Sequence, residues 1–199
     1  MDEWWSYRLR SFVLFSARTY DRLVETYNVD LWPLQPLLVA TAVALLVWLA
    51  RAPSARRDRV VLAALALAWC TVAWAFEHAR FAAINWGADY AALLFVVQGT
   101  ALAWYAPRGG IAFRCVGLRG HLGLALAALG VVAWPLLTTA LGQSWARAEV
   151  VALMPAPTAL ATFGCLLLAV PTPLRLLAVP GLAVAFEAAL GWGLYARVA

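Results

Sequence analysis

The sequence has no lysine and few charges of either sign. Only 13% of its 199 residues are charged, whereas 65% are hydrophobic, and the mean hydropathy is +0.80. Soluble domains carry roughly a quarter charged residues and just under half apolar ones. A soluble fold of this size has no interior large enough for so much apolar surface. The composition therefore excludes an ordinary soluble enzyme and a disordered chain, and it predicts a membrane protein.

Cysteine and histidine are also scarce, with three and two residues respectively. No cysteine pair has the spacing of metal ligands or of a disulfide framework. His78 and His121 fall at ends of different apolar segments that are predicted to face opposite membrane surfaces, which argues against a bis-histidine haem. The sequence contains no Gly-x-Ser-x-Gly, no phosphate loop and no paired-Asp motif. We therefore expect no metal and no other cofactor, and an enzyme is the least favoured class.

Six apolar segments follow the first thirty residues, each bounded by Arg, Pro, Gly or Trp. They are Leu34–Ala50, Val60–Phe76, Ala88–Ala106, His121–Leu141, Thr158–Val170 and Leu176–Tyr195. A membrane-spanning helix needs about 20 residues, with roughly 17 as the lower limit. The fifth segment has thirteen residues and is closed by Pro171 and Pro173, which predicts a half-helix or one that extends backwards. We predict an all-α polytopic bundle forming one domain over residues 31–199, with six spans or with five and a re-entrant piece.

Residues 1–30 have a different pattern. They contain five acidic residues and no signal-peptide hydrophobic region, so we expect them to be retained. Apolar and aromatic residues recur every three to five positions from Phe12 to Tyr27, with charged residues between them. This spacing predicts an amphipathic helix lying in the membrane interface, with Trp4 and Trp5 anchoring its start.

The positive charges have an uneven distribution. The loops after the first, third and fifth apolar segments hold eight arginines, whereas those after the second and fourth, with the tail, hold three. Arginines between apolar segments indicate membrane topology and not a nucleic-acid groove, so we expect no nucleic-acid partner. They predict that the arginine-rich loops are cytoplasmic and both termini outside. The arginine-only, alanine-rich composition suggests a bacterial genome, and hence the inner (cytoplasmic) membrane.

Several short motifs are similar to those of a known group of proteins. They comprise Trp4-Trp5-Ser-Tyr-Arg-Leu, Phe12–Tyr20, Tyr27-Asn28, Trp32-Pro33, Ile84-Asn85-Trp86 with Gln98, Pro155-Ala-Pro157-Thr158, Phe163-Gly164 and Leu166–Leu168. Together they resemble an uncharacterised family of bacterial multi-pass membrane proteins, which is known only as a domain of unknown function. The chain departs from the family near Pro-x-Pro-Thr, where a second Thr or a Cys is usual. The resemblance supports the architecture and implies no activity.

Glu187 is the most costly residue to place, because it falls near the centre of the last apolar segment. A carboxylate there costs several kcal/mol unless it is paired or protonated. Gln98 is at a similar depth in the third segment, so a Glu187–Gln98 hydrogen bond is geometrically allowed and would hold Glu187 neutral. Glu187 is then either a proton-carrying or cation-binding carboxylate, or a protonated link between helices.

A second polar group joins the second and third apolar segments. It consists of Glu77, His78, Arg80, Asn85 and Asp89, with Asp89 predicted in the first turn of the third segment and Glu77 paired with Arg80. These residues either fix a helical hairpin or contribute to a binding path.

The third feature is Thr158, which is predicted to be the N-cap of the short fifth helix after two prolines. Such a half-helix would direct its positive end towards an anion or Glu187, or else be a rigid cap on a short span.

Three functions remain open. The first is a small-solute or ion transporter, with Glu187 as its coupling carboxylate and Gln98, Asn85 and Asp89 along the path. The second is an accessory or scaffold subunit that binds another membrane protein or a second copy of itself. The third is an intramembrane enzyme acting on a lipid or an apolar substrate.

Overall fold

The computed structural model describes residues 15–195, with side chains described as far as residue 191. The helices are α1 (Ala17–Asp30), α2 (Leu34–Ala50), α3 (Ala55–Thr71), α4 (Ala88–Arg108), α5 (Gly117–Ala128), α6 (Trp134–Ala140), α7 (Pro155–Leu167) and α8 (Leu174–Tyr195). Two short strands, β1 (Ala112–Phe113) and β2 (Ala169–Val170), pair antiparallel. The described chain is therefore all-α apart from this one two-residue pairing, as the hydropathy pattern predicts.

Two of the α-helices continue into segments of other helix types. α3 continues as a π-helix over Val72–His78 and reaches a 3₁₀ turn at Phe81–Ala83. α5 continues into α6 through a π-helical turn at Leu129–Ala133. π-Helical turns inside α-helices occur frequently at functional sites, which makes the first of them relevant below.

Several helical segments are long and apolar enough to cross a membrane. Four pass this test alone, namely Ala55–Ala83, Ala88–Arg108, Gly117–Ala140 and Leu174–Gly191. α1 and α2 pass it together but meet at an angle of 85°, at a break that contains Pro33. α2 has the predicted bounds, and the other five apolar segments also correspond to helices. The described chain thus has four helices, or five if the bent pair is one span, that are long and apolar enough to cross a membrane, while the membrane location and the six crossings stay predictions.

The short helix α7 lies at the centre of the bundle. Eleven of its thirteen residues are buried, and so is most of the loop that precedes it. Small residues allow α5 to approach α7 closely, because a Cβ on Gly123 would lie 2.7 Å from the Gly164 carbonyl oxygen. A Cβ on Gly130 would likewise lie 2.7 Å from the Pro157 carbonyl oxygen. Close packing of backbones through small residues is typical of helices in membranes.

The three arginine-rich loops meet at one end of the bundle. The buried Arg57 guanidinium donates to the carbonyl oxygens of Leu49, Arg51 and Phe113, and also to the Asp58 carboxylate. The β1–β2 pairing then joins the loop after α4 to the chain after α7. We call this end, with the loops after α2, α4 and α7, the basic end.

The opposite end, which we call the acidic end, is covered by α1. Ser16 begins this helix as its N-cap by accepting a hydrogen bond from the Thr19 amide. The aromatic face of α1 was predicted to lie in the membrane interface, but it packs on protein. Tyr20 and Tyr27 are buried, and the centroid of the Tyr20 ring lies 5.9 Å from that of Phe81. The interfacial helix was predicted over residues 1–30. Its first part, including Trp4, Trp5 and Phe12, lies outside the described residues.

Candidate functional site

Three carboxyl groups from distant parts of the chain come together at the acidic end. Glu77 lies on the π-helix after α3, Glu149 on the buried loop before α7, and Glu187 on α8. Glu187 is close enough to the other two for their charges to interact, and the Tyr20 phenol on α1 lies within electrostatic range of all three. We refer to Glu77, Glu149 and Glu187 as the carboxyl cluster.

Glu149 is held by two aromatic donors. The Tyr20 hydroxyl donates to Oε1 at 3.1 Å, and the Trp134 indole nitrogen donates to Oε2 at 2.8 Å. Burial raises the pKa of the Glu149 carboxyl above its ordinary value, the hydrogen bonds from Trp134 and Tyr20 lower it in part, and the charge of Asp21 raises it further. The carboxyl is thus fixed in position while its charged form is disfavoured by its surroundings.

Glu77, unlike Glu149, has a carboxyl oxygen that receives no hydrogen bond. It is 2% exposed, and its Oε2 atom has no hydrogen-bond partner. The adjacent Phe76 ring packs on Tyr27 at 5.6 Å, and the buried Tyr27 hydroxyl is likewise without a partner. A buried carboxyl group with an unsatisfied oxygen is costly unless it holds a proton or lies beside a cation or water. Glu77 is therefore the member of the cluster best placed to accept something from outside the protein.

Glu187 is half-buried and is the fourteenth of the twenty-two residues of α8. It therefore lies just past the centre of this helix, on the side of the acidic end. The Glu187–Gln98 hydrogen bond is not formed, because the Gln98 amide donates instead to the Leu176 carbonyl oxygen at 3.0 Å. That carbonyl would normally bond the amide of residue 180, but Pro180 has none. Gln98 therefore satisfies a helix break and is not part of the cluster.

The polar hairpin between α3 and α4 does not form one site. His78 and Asp89 form an exposed pair at 2.7 Å, on a different side of the helix from buried Glu77. Asp89 lies in the first turn of α4, as predicted. Asn85 accepts a hydrogen bond from the Gly87 amide and so fixes the turn. Of the hairpin residues considered, only Glu77 joins the carboxyl cluster.

Arg80 also has a different partner from the one predicted. Its guanidinium pairs with Asp30 of α1 at 2.8 Å and not with Glu77. This ion pair and the Arg147–Glu25 pair, at 3.1 Å, connect α1 to the loop after the π-helix and to the loop after α6. Among the described residues, no group of three His, Cys, Asp or Glu side chains could hold a metal ion.

Thr158 is not the N-cap of α7, because the two prolines are themselves helical and the helix begins at Pro155 after Met154. Proline suits this first position since its missing N–H would have no helical partner. The Thr158 hydroxyl accepts from the Ala152 amide at 2.8 Å and donates to the Met154 carbonyl at 2.7 Å. It thereby holds the tight turn that contains Ala152, whose φ is +69°.

Glu149, Tyr20 and Trp134 were missed by the sequence reasoning. The available signal was a glutamate adjoining an apolar stretch shortly before Pro155. The prolines of this stretch are typical of a loop, whereas the neighbouring Val150 and Val151 are typical of a protein core. A surface pocket of about 470 Å³ lies beside it, between α1, α6 and residues 143–149. Tyr20 and Glu149 both line this pocket, which opens Glu149 to the acidic surface, whereas neither Glu77 nor Glu187 is part of its lining.

These features define the class as an all-helical protein with several candidate membrane-spanning helices and a cluster of one buried and two half-buried carboxyl groups near one end. The chain matches the model of a family of unknown function (DUF6064) over residues 17–192 and belongs to that family. No curated protein and no solved structure matches the chain. The family carries no activity to compare with the site.

Proposed function

We propose that this protein transports protons across the bacterial inner membrane, with the carboxyl cluster as its binding site. The observation that carries the proposal is the buried, unsatisfied Glu77 carboxyl within electrostatic range of Glu187, which is in turn within range of Glu149. Buried ionisable residues inside membrane bundles commonly mark ion pathways and proton relays. A purely structural carboxyl would be expected to have a hydrogen-bond partner, as Glu149 has.

The cluster offers a route for one transported charge. Like charges in a low-dielectric site repel each other, and a proton or cation relieves this repulsion. The pocket at Tyr20 and Glu149 supplies an entrance from the acidic surface. Glu149 is fixed by its donors, whereas Glu77 lies on a π-helical turn whose hydrogen bonding differs from that of the adjoining α-helix. We place acceptance of the proton at Glu77, with Glu187 and Glu149 disfavouring the loss of that proton through their charges.

Orientation supports a cytoplasmic basic end. Eight arginines lie at this end, and of the acids the structure describes only Asp58 accompanies them. Arginine-rich loops remain in the cytoplasm of bacterial membrane proteins. The carboxyl cluster is then nearer the outer surface, and the transported species enters from that side.

The test is flux through the purified protein in liposomes. A pH-sensitive dye is enclosed in the liposomes and a potassium diffusion potential is imposed, and the wild type is expected to move protons. Sodium and potassium gradients are supplied in parallel measurements. Glu77→Gln is expected to lower the flux at least about tenfold. Asp89→Asn is the matched control, because Asp89 is an exposed acid on the adjoining helix and lies outside the cluster.

Two outcomes would contradict the proposal. One is wild-type proton flux no greater than that of protein-free liposomes, whether or not sodium or potassium ions move. The other is a Glu77→Gln variant that transports as well as Asp89→Asn. Co-purification of a second polypeptide at fixed stoichiometry, combined with absent flux, would favour the accessory-subunit hypothesis.

A further inference from the structure

An apolar groove runs along the bundle between α2 and α3, away from the carboxyl cluster. It has a volume of about 350 Å³, and α2 lines it from Leu34 to Leu49 while α3 lines it from Val61 to Thr71. Its floor reaches α7 at Ala161 and Cys165. The groove exists because α2 packs loosely, with two of its seventeen residues, Gln35 and Leu49, buried.

The lining offers nothing to a polar ligand. Thr41 and Thr71 are its two hydroxyl-bearing residues, and each donates to a carbonyl of its own helix, at 2.7 Å to Leu37 and at 2.9 Å to Leu67. From Leu34 to Leu49 the groove is about 22 Å long at 1.5 Å per residue. Half the hydrocarbon core is roughly 15 Å thick. The groove is therefore long enough for a lipid acyl chain in its extended form.

The basic end of the groove is positively charged. Arg51 follows α2 and Arg56 lies in the first turn of α3, and both are exposed. Arg56 precedes the groove residue Leu67 by eleven positions, about three helical turns, which places it on the same side of α3 as that edge of the groove. Arg57 donates to the Leu49 and Arg51 carbonyls and so holds the ends of α2 and α3 together. Two exposed arginines thus stand where the groove reaches the membrane surface.

We propose that this groove binds one anionic phospholipid of the leaflet at the basic end, with an acyl chain between α2 and α3 and its phosphate at Arg51 and Arg56. Arginine recognises phosphate through paired N–H donors, and the apolar groove excludes water along the chain. A zwitterionic lipid has the same acyl chain but presents no net charge to the arginines, so the site discriminates by headgroup. The site does not depend on the proposed transport.

The experiment uses the full-length protein in phosphatidylcholine nanodiscs that contain a small fraction of phosphatidylglycerol with a photoreactive acyl chain. Cross-linked peptides are expected from α2 and α3, on residues such as Leu38 and Leu45 that line the groove. Unlabelled phosphatidylglycerol is expected to compete at least about tenfold better than added phosphatidylcholine. This comparison uses the wild type alone and therefore does not depend on the folding of any variant.

Variants then locate the lipid. Ala42→Trp fills the groove and is expected to remove the cross-links, whereas Ala44→Trp on the exposed face of α2 is its matched control and is expected to keep them. Arg51→Gln with Arg56→Gln is expected to remove the preference for phosphatidylglycerol, whereas Arg22→Gln at the acidic end is expected to retain it.

Three results would overturn the proposal. They are equal competition by phosphatidylcholine, equal labelling of the Ala42→Trp and Ala44→Trp variants, and cross-links from the groove to a second copy or to another protein instead of lipid.

Discussion

The two ends of the bundle differ in how completely their buried charged side chains are hydrogen-bonded. At the basic end, Arg57 is 1% exposed and makes five hydrogen bonds. A guanidinium has five N–H donors, so its capacity is filled. At the acidic end, Glu77 is almost equally buried, yet one of its carboxyl oxygens has no partner. Burial alone therefore does not set these two residues apart, whereas the completeness of their hydrogen bonding does.

The same division holds beyond these two residues. The buried side-chain atoms without a partner in the described part of the chain are Tyr27 Oη, Asn28 Oδ1 and Glu77 Oε2. All three lie on α1 or on the π-helix beneath it, at the acidic end. Native proteins satisfy most buried polar atoms, so these three atoms are where the proposed function expects a proton or water to be received.

The largest expected effect tests the basic end. Arg57→Met leaves the Asp58 carboxylate and three carbonyl groups without their donor, and is expected to lower the free energy of unfolding by about 3–5 kcal/mol. Thermal or denaturant unfolding in detergent measures it. The double variant with Asp58→Leu removes the orphaned charge as well and is expected to recover part of the loss. A single variant with wild-type stability would contradict the structural role of Arg57.

A smaller effect on stability is expected at Gln98, whose side-chain amide also has a hydrogen-bond partner. Gln98→Leu leaves the Leu176 carbonyl unsatisfied and is expected to cost about 1–3 kcal/mol. Pro180→Ala restores an amide that can bond this carbonyl within α8, so the double variant is expected to be more stable than Gln98→Leu alone. The unfolding free energies of the four proteins form a double-mutant cycle. Strictly additive costs would show that the two residues do not share the carbonyl.

The third prediction concerns pH at Glu149. Its pKa is raised in the folded state by burial, so folding favours the protonated form. The stabilising contribution is complete below the unfolded-state pKa and is lost as pH rises through the folded-state value. Melting temperatures measured between about pH 4 and about pH 8 are therefore expected to fall less steeply for Glu149→Gln than for the wild type. Parallel profiles would contradict the assignment.

The smallest effect on stability is expected at Glu77, and this is the sharpest test of the comparison. The unsatisfied oxygen of Glu77 has no described hydrogen bond that the Glu77→Gln substitution could remove. The free energy of unfolding is therefore expected to change by less than about 1 kcal/mol. The same variant is expected to lose flux. A loss of stability comparable to that of Arg57→Met would mean that Glu77 is structural, and the two ends would no longer differ in kind.

The sequence predicts the helices better than it predicts their partners. The bounds of α2 follow from apolar composition between Pro33 and Arg51, and the length of α7 is limited by Pro171. Such signals are local and physical, because charges and prolines end apolar helices. All-α architecture and membrane class therefore follow directly from composition and hydropathy.

The site depends on contacts that local patterns do not encode. Tyr20 and Glu149 are 129 residues apart, and no periodicity connects them. Gln98 and Glu187 have similar depths in their segments, but depth does not specify which helices are neighbours or in what register. The true partner of Gln98 was detectable in principle, since Pro180 leaves the carbonyl of Leu176 free, but this requires knowing that α4 packs against α8 at that level.

The burial of α7 has a consequence for the order of events during synthesis. This helix has thirteen residues, of which eleven are covered by protein, and its coverage comes from α5 before it and α8 after it. Because α8 is synthesised after α7, one side of α7 has no neighbour until α8 is in place. We therefore expect α7 to reach its final position only when α8 packs against it. The last helix of the bundle is thus what completes the position of the one before it.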